Sequence, residues 1–321
     1  MAVYTEVSDE EVEAFAHAYG LGEVTGLKGI AEGVENSNYL LVTAEGQYIL
    51  TLYEKRVNPK DLPFFIGVMD HLAGRGVPCP VPLKRPDGEA LGRLAGRPAA
   101  IITFLKGLWP RKIRPEHCAE LGAALARMHL AGLDFPMTRP NDLGREGWRP
   151  LLDKSADGAE GVMPDLAAAL YRELDFLEAN WPSGLPRGLI HADLFPDNVF
   201  FQHDRLTGLI DFYFACTDDF AYDLAVCLNA WCFESDHSFN VTKARLLLRN
   251  YTAERAVSRH ELAALPILAR GAALRFLLTR LYDWIHTPEG AFVRKKDPLE
   301  YWKKLRFHQG VSGPGAYGLE A

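Results

Sequence analysis

The sequence predicts an α+β protein with two lobes, a β-rich N-terminal lobe that carries one main helix and a mostly helical C-terminal lobe. Strand-like runs and turn residues dominate the first hundred residues, and a helical pattern interrupts them at residues 59–74. From residue 115 onwards, apolar residues recur mostly at helical spacing. We therefore expect an N-terminal lobe of residues 1–105 and a C-terminal lobe of residues 106–321.

The composition is that of a globular protein rather than a nucleic-acid-binding or membrane protein. Of the 321 residues, 48% are hydrophobic and 24% are charged, and the net charge of −7 leaves no basic excess to neutralise phosphates. No apolar run approaches a membrane span of about 20 residues, and the N-terminus lacks a signal-peptide pattern. The five cysteines form no Cys-x-x-Cys pair, which is typical of reduced core thiols. We expect a cytoplasmic protein without nucleic acid or membrane as partner.

The N-terminal lobe begins with a helix and continues with strands. Ser8 and Glu11 form a capping pattern at the start of a helix that ends near Gly20. Strands are predicted at residues 24–29, 39–43, 48–53 and in a hairpin at 89–104. Glycines and small polar residues at 29–38 would let backbone amides approach phosphates, although a plain turn explains them as well.

The C-terminal lobe begins with a helix at residues 115–130, in which His129 is predicted to be a packed, hydrogen-bonded histidine. The polar segment 137–164, rich in proline and glycine, predicts an irregular surface excursion, and the region after Lys295 predicts a fraying tail. Further helices are expected at residues 164–180, 219–234, 240–256 and 260–286.

Two short apolar runs end in the residues that carry the predicted chemistry. The first leads into His191-x-Asp193 with Asn198 five residues later, and the second ends at Asp211. Asp193 is suited to accept a proton from an alcohol, and Asn198 and Asp211 offer the hard oxygen ligands that Mg²⁺ prefers. This spacing matches the catalytic loop and metal-binding aspartate of kinase-like phosphotransferases. It predicts ATP- and Mg²⁺-dependent phosphorylation of a small hydroxylated molecule.

A longer ordered set of motifs resembles the aminoglycoside phosphotransferase and choline kinase superfamily, which has a protein-kinase-like fold. The set comprises Leu121-Gly122…Leu125…Met128-His129, His191-x-Asp193-x4-Asn198, Ile210-Asp211-Phe212 and Ala221-Tyr222-Asp223-Leu224-Ala225. Within this group the chain most resembles the bacterial homoserine kinases of this fold. The stretches that carry this narrower resemblance are residues 35–39, 48–56, 191–200 and 278–284.

The resemblance implies a role for each matching residue. Asp193 would be the catalytic base or orienter of the substrate hydroxyl, and Asn198 and Asp211 the Mg²⁺ ligands. His191 and Asp223 would support the catalytic loop. The residues expected near ATP are Gly33, Ser37, Asn38 and Thr51 around the glycine-containing loop, and Phe104 and Leu105 at the crossing between the lobes, where a plain linker is the alternative.

One departure from the superfamily concerns the phosphate clamp. Thr51 occupies the strand position where a Lys or Arg is usual, and Phe65 lies near the position of its helical Glu partner. Lys55 is four residues further along, roughly 13 Å at about 3.3 Å per residue, so it is no simple substitute. Glycine-loop amides, Ser37, Lys28 or Arg56 are the alternatives for holding the phosphates.

The implied acceptor, L-homoserine, has a hydroxyl, an ammonium and a carboxylate, and its phosphorylation gives O-phospho-L-homoserine for threonine synthesis. Of the residues after Asp211, Glu234 and Trp231 belong to the set that would suit the ammonium. Arg275 or Arg280 would suit the carboxylate, and Trp284 and Tyr282 would form the walls. Arg280 with Asp283 is equally explained as a local pair. A choline or aminoglycoside kinase, or a pseudokinase-like ATP-binding module, is the alternative, and a monomer or homodimer is expected.

Overall fold

A computed structural model describes residues 5–30, 36–54, 57–288 and 295–319. The chain divides into two compact units: Met1–Gly107 with Thr207–Tyr213, and Leu108–Leu206 with Phe214–Ala321. The boundary near Gly107 lies close to the one chosen from the sequence. Residues 207–213 belong to the first unit although the residues before and after them belong to the second. This assignment depends on tertiary contacts, which no local sequence pattern predicts.

The first unit contains a five-stranded antiparallel sheet in the order β1-β2-β3-β5-β4. Its strands are β1 (Val24–Ile30), β2 (Ser37–Thr43), β3 (Gly46–Leu52), β4 (Gly92–Leu94) and β5 (Arg97–Thr103). Its helices are α1 (Asp9–Ala18) and α2 (Leu62–Gly74), and a 3₁₀ turn, Pro59–Asp61, precedes α2. The three predicted strands and the later hairpin are confirmed, with boundaries shifted by at most three residues.

Helix α1 begins as its sequence pattern predicts. The Ser8 hydroxyl accepts a hydrogen bond from the Glu11 amide, and the Glu11 carboxylate accepts one from the Ser8 amide. This reciprocal cap satisfies backbone donors that a helix start leaves unpaired. Val12 and Phe15 then pack with Leu41 and other sheet residues in one buried cluster.

The second unit is mostly helical. Its helices are α3 (Pro115–Ala131), α4 (Arg145–Asp153), α5 (Ala156–Ala159), α6 (Leu166–Asn180), α7 (Phe220–Trp231), α8 (Val241–Glu254), α9 (Arg259–His286) and α10 (Pro298–Gln309). Strands β6 (Arg187–Ile190) and β9 (Cys216–Asp219) pair antiparallel within this unit. Strand β7 (Val199–Gln202) forms another two-stranded sheet with β8 (Arg205–Leu209), whose last three residues are counted with the first unit. Helix α3 packs so closely on α8 that a side chain at Gly122 would clash with the Leu247 carbonyl oxygen.

Two expectations about irregular segments are wrong. The segment at residues 137–164 contains helices α4 and α5, and Trp148 and Leu152 anchor α4 in the core. The C-terminal region forms α10 and a 3₁₀ turn, with Tyr301 and Tyr317 completely buried. In both cases a few large apolar residues between polar ones are enough to attach the segment to the core.

Helix α9 forms the centre of this unit. By length and composition alone it could cross a membrane, but 72% of its apolar window is buried within the protein. It packs against α7 and α10. This burial is typical of a core helix, whose apolar residues face other helices rather than lipid.

Candidate active site

The catalytic loop follows strand β6 and begins with a strained backbone conformation. Ala192 has φ 62°, in the left-handed region that a residue with a Cβ rarely adopts. The amides of His191 and Ala192 both donate to the carboxylate of Asp223 on α7, each at 2.8 Å. A single side chain therefore holds the two amides where the strand turns into the loop.

Asp223 is completely buried and lies in a chain of hydrogen bonds. His129 on α3 donates to it through Nε2 at 3.1 Å, and His129 Nδ1 accepts from the Tyr251 hydroxyl at 2.7 Å. Burial alone would raise the pKa of the Asp223 carboxyl, but the bonds from His129 and the His191 amide hold that pKa below its usual value. Burial lowers the pKa of His129 and keeps its imidazole neutral. The packed, hydrogen-bonded role predicted for His129 is confirmed.

The carbonyl groups of the same loop are bonded by side chains from other elements. Arg275 on α9 donates to the Ala192 carbonyl at 2.5 Å, and the Asn198 amide nitrogen donates to that of Asp193 at 2.9 Å. The Trp231 indole N–H donates to the Leu194 carbonyl at 2.8 Å. Three consecutive carbonyls are thus fixed, which leaves the loop little freedom to rearrange.

The Asp193 side chain lies within this frame and remains 19% exposed. Its amide donates to His191 Nδ1 at 3.3 Å, and its carboxylate is 3.8 Å from the Arg275 guanidinium. Desolvation raises the pKa of Asp193, while the positive charges of Arg275 and Lys296 act in the opposite direction. The result is a partly desolvated carboxylate in a defined position.

Asn198 is oriented by the same loop. Its amide nitrogen donates to the Asp193 carbonyl and lies 3.5 Å from the Asp193 carboxylate. Because the amide nitrogen donates to Asp193, the amide oxygen points away from Asp193. That oxygen is a hard donor of the kind that Mg²⁺ prefers.

Asp211 belongs to the first unit and also has a left-handed backbone, with φ 66°. Two residues later, the Tyr213 hydroxyl lies 3.3 Å from that of Tyr53. Burial raises the pKa of Tyr213 to about 12, and the Asp211 carboxylate contributes in the same direction. From the sequence, Tyr213 was considered only as part of an aromatic cage for the alternative acceptor choline.

The residues predicted to contact ATP have different environments. Ser37 is completely buried and donates to the Glu54 carboxylate at 2.7 Å, so the structure argues against a phosphate contact by its side chain. Thr51 donates to the Asn38 amide oxygen at 2.8 Å. Phe104 and Leu105 follow β5, and the Phe104 side chain is exposed. Gly33, Lys55 and Arg56 lie outside the described residues, and Lys28 is exposed on β1.

The predicted substrate residues are mostly engaged elsewhere. Trp231 is completely buried, which corrects its assignment to the acceptor site. Glu234 pairs with Lys243 at 2.6 Å. Arg280 pairs with Glu300 on α10 at 2.6 Å and stacks on the Tyr301 ring. Its partner is therefore Glu300, and neither the predicted substrate contact nor the local pair with Asp283 accounts for its position. Trp284 remains 40% exposed on α9.

Arg275 was considered only as a substrate ligand from the sequence. The structure instead makes it a support of the catalytic loop, because it is 2% exposed and bonded to the Ala192 carbonyl. Its guanidinium also lies 4.1 Å from the centre of the Phe276 ring. No local signal distinguishes such a residue from any other arginine on an apolar helix.

Comparison with known proteins identifies the family to which the chain belongs. The model of a phosphotransferase enzyme family matches residues 26–257, well over half of the chain. The chain belongs to this family of phosphotransferases.

Curated relatives of this phosphotransferase match over the full length. A protein of Paramagnetospirillum magneticum named homoserine kinase is 64% identical, with 100% of both chains covered. A protein of Rhodospirillum rubrum with the same name is 64% identical over 99% of each chain.

Solved structures establish the fold of this phosphotransferase. An amicoumacin kinase, hAmiN, has a TM-score of 0.69 at 16% identity over 94% of this chain and 92% of that one. A choline kinase of Cryptosporidium parvum has a TM-score of 0.67 at 13% identity over 94% of each chain. The chain therefore has the α+β, protein-kinase-like fold that the sequence predicts.

The substitution Trp231→Phe tests whether Trp231 supports the loop rather than contacting the acceptor. This change keeps most of the buried surface but leaves the Leu194 carbonyl without its donor, which costs roughly 1–3 kcal/mol. We expect kcat to fall about tenfold while KM for the acceptor stays unchanged. Steady-state kinetics with varied acceptor and saturating ATP measure both constants.

Trp148→Phe is the matched control. Trp148 is also fully buried and donates to a backbone carbonyl, that of Leu143, at 2.9 Å. It should lose stability in a denaturant titration but keep kcat. A Trp231→Phe enzyme with raised acceptor KM and normal kcat would restore Trp231 to the substrate site.

Proposed function

We propose that this phosphotransferase transfers the γ-phosphoryl group of ATP to the hydroxyl of L-homoserine, giving ADP and O-phospho-L-homoserine for threonine biosynthesis. The observation that carries this proposal is the 64% identity, over essentially the whole of each chain, to proteins named homoserine kinase. The ordered catalytic loop supports the same reaction class, since phosphoryl transfer depends chiefly on positioning and charge.

Asp193 is proposed to orient the acceptor hydroxyl and to take its proton. As the hydroxyl oxygen bonds to the γ-phosphorus, the bond to the bridging oxygen of ADP breaks and the proton passes to the Asp193 carboxylate. The support for this role is the partial exposure of that carboxylate and the bonds that fix the loop on both sides of it. His191 and Asp223 act as positioning residues in this scheme.

Asn198 and Asp211 are proposed as the protein ligands of Mg²⁺. An amide oxygen and a carboxylate are a fitting donor set, because Mg²⁺ usually takes one or two protein oxygens and completes its shell with phosphates and water. When bound, Mg²⁺ neutralises charge on the phosphates.

The remaining contacts are proposed from the resemblance. Backbone groups of Phe104 and Leu105 would bind adenine, and the loop that contains Gly33 would approach the phosphates. Trp284, exposed on α9, remains a proposed wall of the acceptor site. The enzyme is proposed to work in the cytoplasm, as a monomer or homodimer.

The proposed function predicts a clear substrate preference. Purified protein with Mg²⁺ and ATP should release ADP when L-homoserine is added, with kcat/KM at least 100-fold above that for choline or an aminoglycoside. A coupled ADP assay over the three acceptors measures this. Equal or greater turnover with either of the other acceptors would refute the homoserine assignment.

Asp193→Asn is the catalytic control in the same assay. It should lower kcat by roughly 10²–10⁴-fold, the range typical of a positioned base, while calorimetry still detects nucleotide binding. Asp197→Asn is the matched variant on the same loop and should keep most activity. Near-normal turnover of Asp193→Asn would remove Asp193 from the reaction.

The positive charge of Arg275 beside Asp193 predicts that removing Arg275 changes the pH dependence of kcat/KM. Activity requires the carboxylate, so kcat/KM falls as the pH drops through the pKa of Asp193, which burial raises and Arg275 lowers. Arg275→Met removes the lowering charge, so the acidic limb of the profile should move to higher pH. Arg275→Lys keeps the charge, and its limb should stay near that of the parent enzyme.

Kinetics from pH 4 to 8 on the three proteins make the comparison. An Arg275→Met enzyme that is active but keeps the parental acidic limb would show that Arg275 does not influence the ionisation of Asp193.

A further inference from the structure

The two arginines expected to bind the acceptor carboxylate are engaged elsewhere. Arg275 is 2% exposed and bonded to the Ala192 carbonyl, and Arg280 pairs with Glu300 at 2.6 Å. L-Homoserine carries its carboxylate at the end of a short carbon chain from its reactive hydroxyl. The cation that binds this carboxylate must therefore come from another position near Asp193.

Lys296 lies in the segment that leads into helix α10, and this segment is attached to α9. Arg280 on α9 donates to the Asp297 carbonyl at 3.3 Å and pairs with Glu300 in the first turn of α10. The Asp297 side chain caps α10 by accepting from the Leu299 amide at 2.8 Å. The backbone from which the Lys296 side chain extends is therefore fixed relative to α9.

A continuous series of contacts connects the Lys296 ammonium with the Asp193 carboxylate. The ammonium lies 5.6 Å from the centre of the Phe195 ring, and the Phe195 amide donates to the Asp193 carbonyl at 2.8 Å. The Phe195 ring packs edge-on against that of Phe276, with centroids 4.8 Å apart. The Arg275 guanidinium lies 4.1 Å from the centre of the Phe276 ring and 3.8 Å from the Asp193 carboxylate. The ammonium and the carboxylate thus border the same group of side chains.

The positive charge of Lys296 also acts on Asp193 electrostatically. Burial raises the pKa of the Asp193 carboxyl, and the positive charges of Arg275 and Lys296 lower it. The Lys296 side chain is exposed, and it forms no ion pair in the part of the chain that the structure describes. The neighbouring Lys295, by contrast, donates to the Trp284 carbonyl at 2.9 Å. Lys296 therefore offers a free cation beside the proposed base.

We propose that Lys296 binds the carboxylate of the acceptor and so determines that an amino acid is the preferred substrate. A lysine ammonium has three donors on a flexible stem, so it can turn towards a carboxylate that arrives with the substrate. The Phe195 ring attracts the ammonium and keeps it beside the catalytic loop. Lys296 takes no part in proton transfer. This inference rests on the proposed function, because it takes L-homoserine as the acceptor.

Lys296→Met tests the proposal, because it removes the charge and keeps an aliphatic side chain against Phe195. At pH 8, above the acidic limb of the profile, this variant should raise KM for L-homoserine by about 10- to 100-fold, the loss expected for a bond between charged groups. The carboxylate is remote from the reacting atoms, so kcat should stay within about twofold. KM for ATP should not change.

A second acceptor isolates the contribution of the carboxylate. L-Homoserinol keeps the ammonium and the reactive hydroxyl but has a hydroxymethyl group in place of the carboxylate. The parent enzyme should use it poorly, and Lys296→Met should leave its kcat/KM unchanged. Lys296→Arg keeps the positive charge and should have a KM for L-homoserine close to that of the parent enzyme.

Lys303→Met is the matched control for net charge. Lys303 is also exposed and lies on α10, so its variant has the same net charge as Lys296→Met. Its KM for L-homoserine should equal that of the parent enzyme. An equal rise in KM in Lys303→Met and Lys296→Met would overturn the proposal, since general electrostatic attraction would then explain both.

Steady-state kinetics on the parent enzyme and the three variants, with both acceptors, decide the question. A parental KM for L-homoserine in Lys296→Met would overturn the inference, and so would an equal loss with both acceptors. A rise in KM for ATP alone would also overturn it, because Lys296 would then contact the nucleotide. A parent enzyme that phosphorylates choline as well as L-homoserine refutes the proposed function instead, before any variant is compared.

Discussion

The carboxylate of Asp223 is the interaction on which the catalytic loop depends. It is a completely buried negative charge, which is costly unless hydrogen bonds compensate it, and it accepts bonds from two consecutive amides and from His129. Those two amides lie where strand β6 ends and the left-handed Ala192 turns the chain. This anchor offsets the cost of that backbone conformation, for which an alanine side chain offers no compensation.

The other supports of the loop come from elements far apart in the chain. Helix α3 supplies His129, α7 supplies Asp223 and Trp231, and α9 supplies Arg275, each through one hydrogen bond or more to the loop or its anchor. The packing of α7 and α9 against each other thus supports the loop that carries Asp193. The proposed role of Asp193 as a base requires a carboxylate that is held in position without losing its charge. The loop fixes its backbone by hydrogen bonds, and Arg275 balances the charge of Asp193.

Short-range patterns were sufficient for the reaction class and for most secondary structure. Asp193, Asn198 and Asp211 were predicted as site residues because the reaction requires particular groups at fixed spacing. The α1 cap was predicted because Ser8 and Glu11 interact within one turn. The sequence missed what depends on tertiary contacts. Trp231 and Arg275 carry ordinary functional groups whose partners are backbone carbonyls, and no pattern reveals which carbonyl is unpaired. The C-terminal tail was misjudged for the same reason, since Tyr301 and Tyr317 acquire their importance only through burial.

Hydrogen exchange at the amides of His191 and Ala192 is the most direct measurement of the central claim. If the Asp223 carboxylate fixes the loop, both amides in the parent protein should exchange as slowly as the core amides of α7. In Asp223→Asn both should lose most of their protection, while the amide of Leu41 in the first unit keeps its own. Unchanged protection at His191 and Ala192 in that variant, or fast exchange there in the parent protein, would contradict the account.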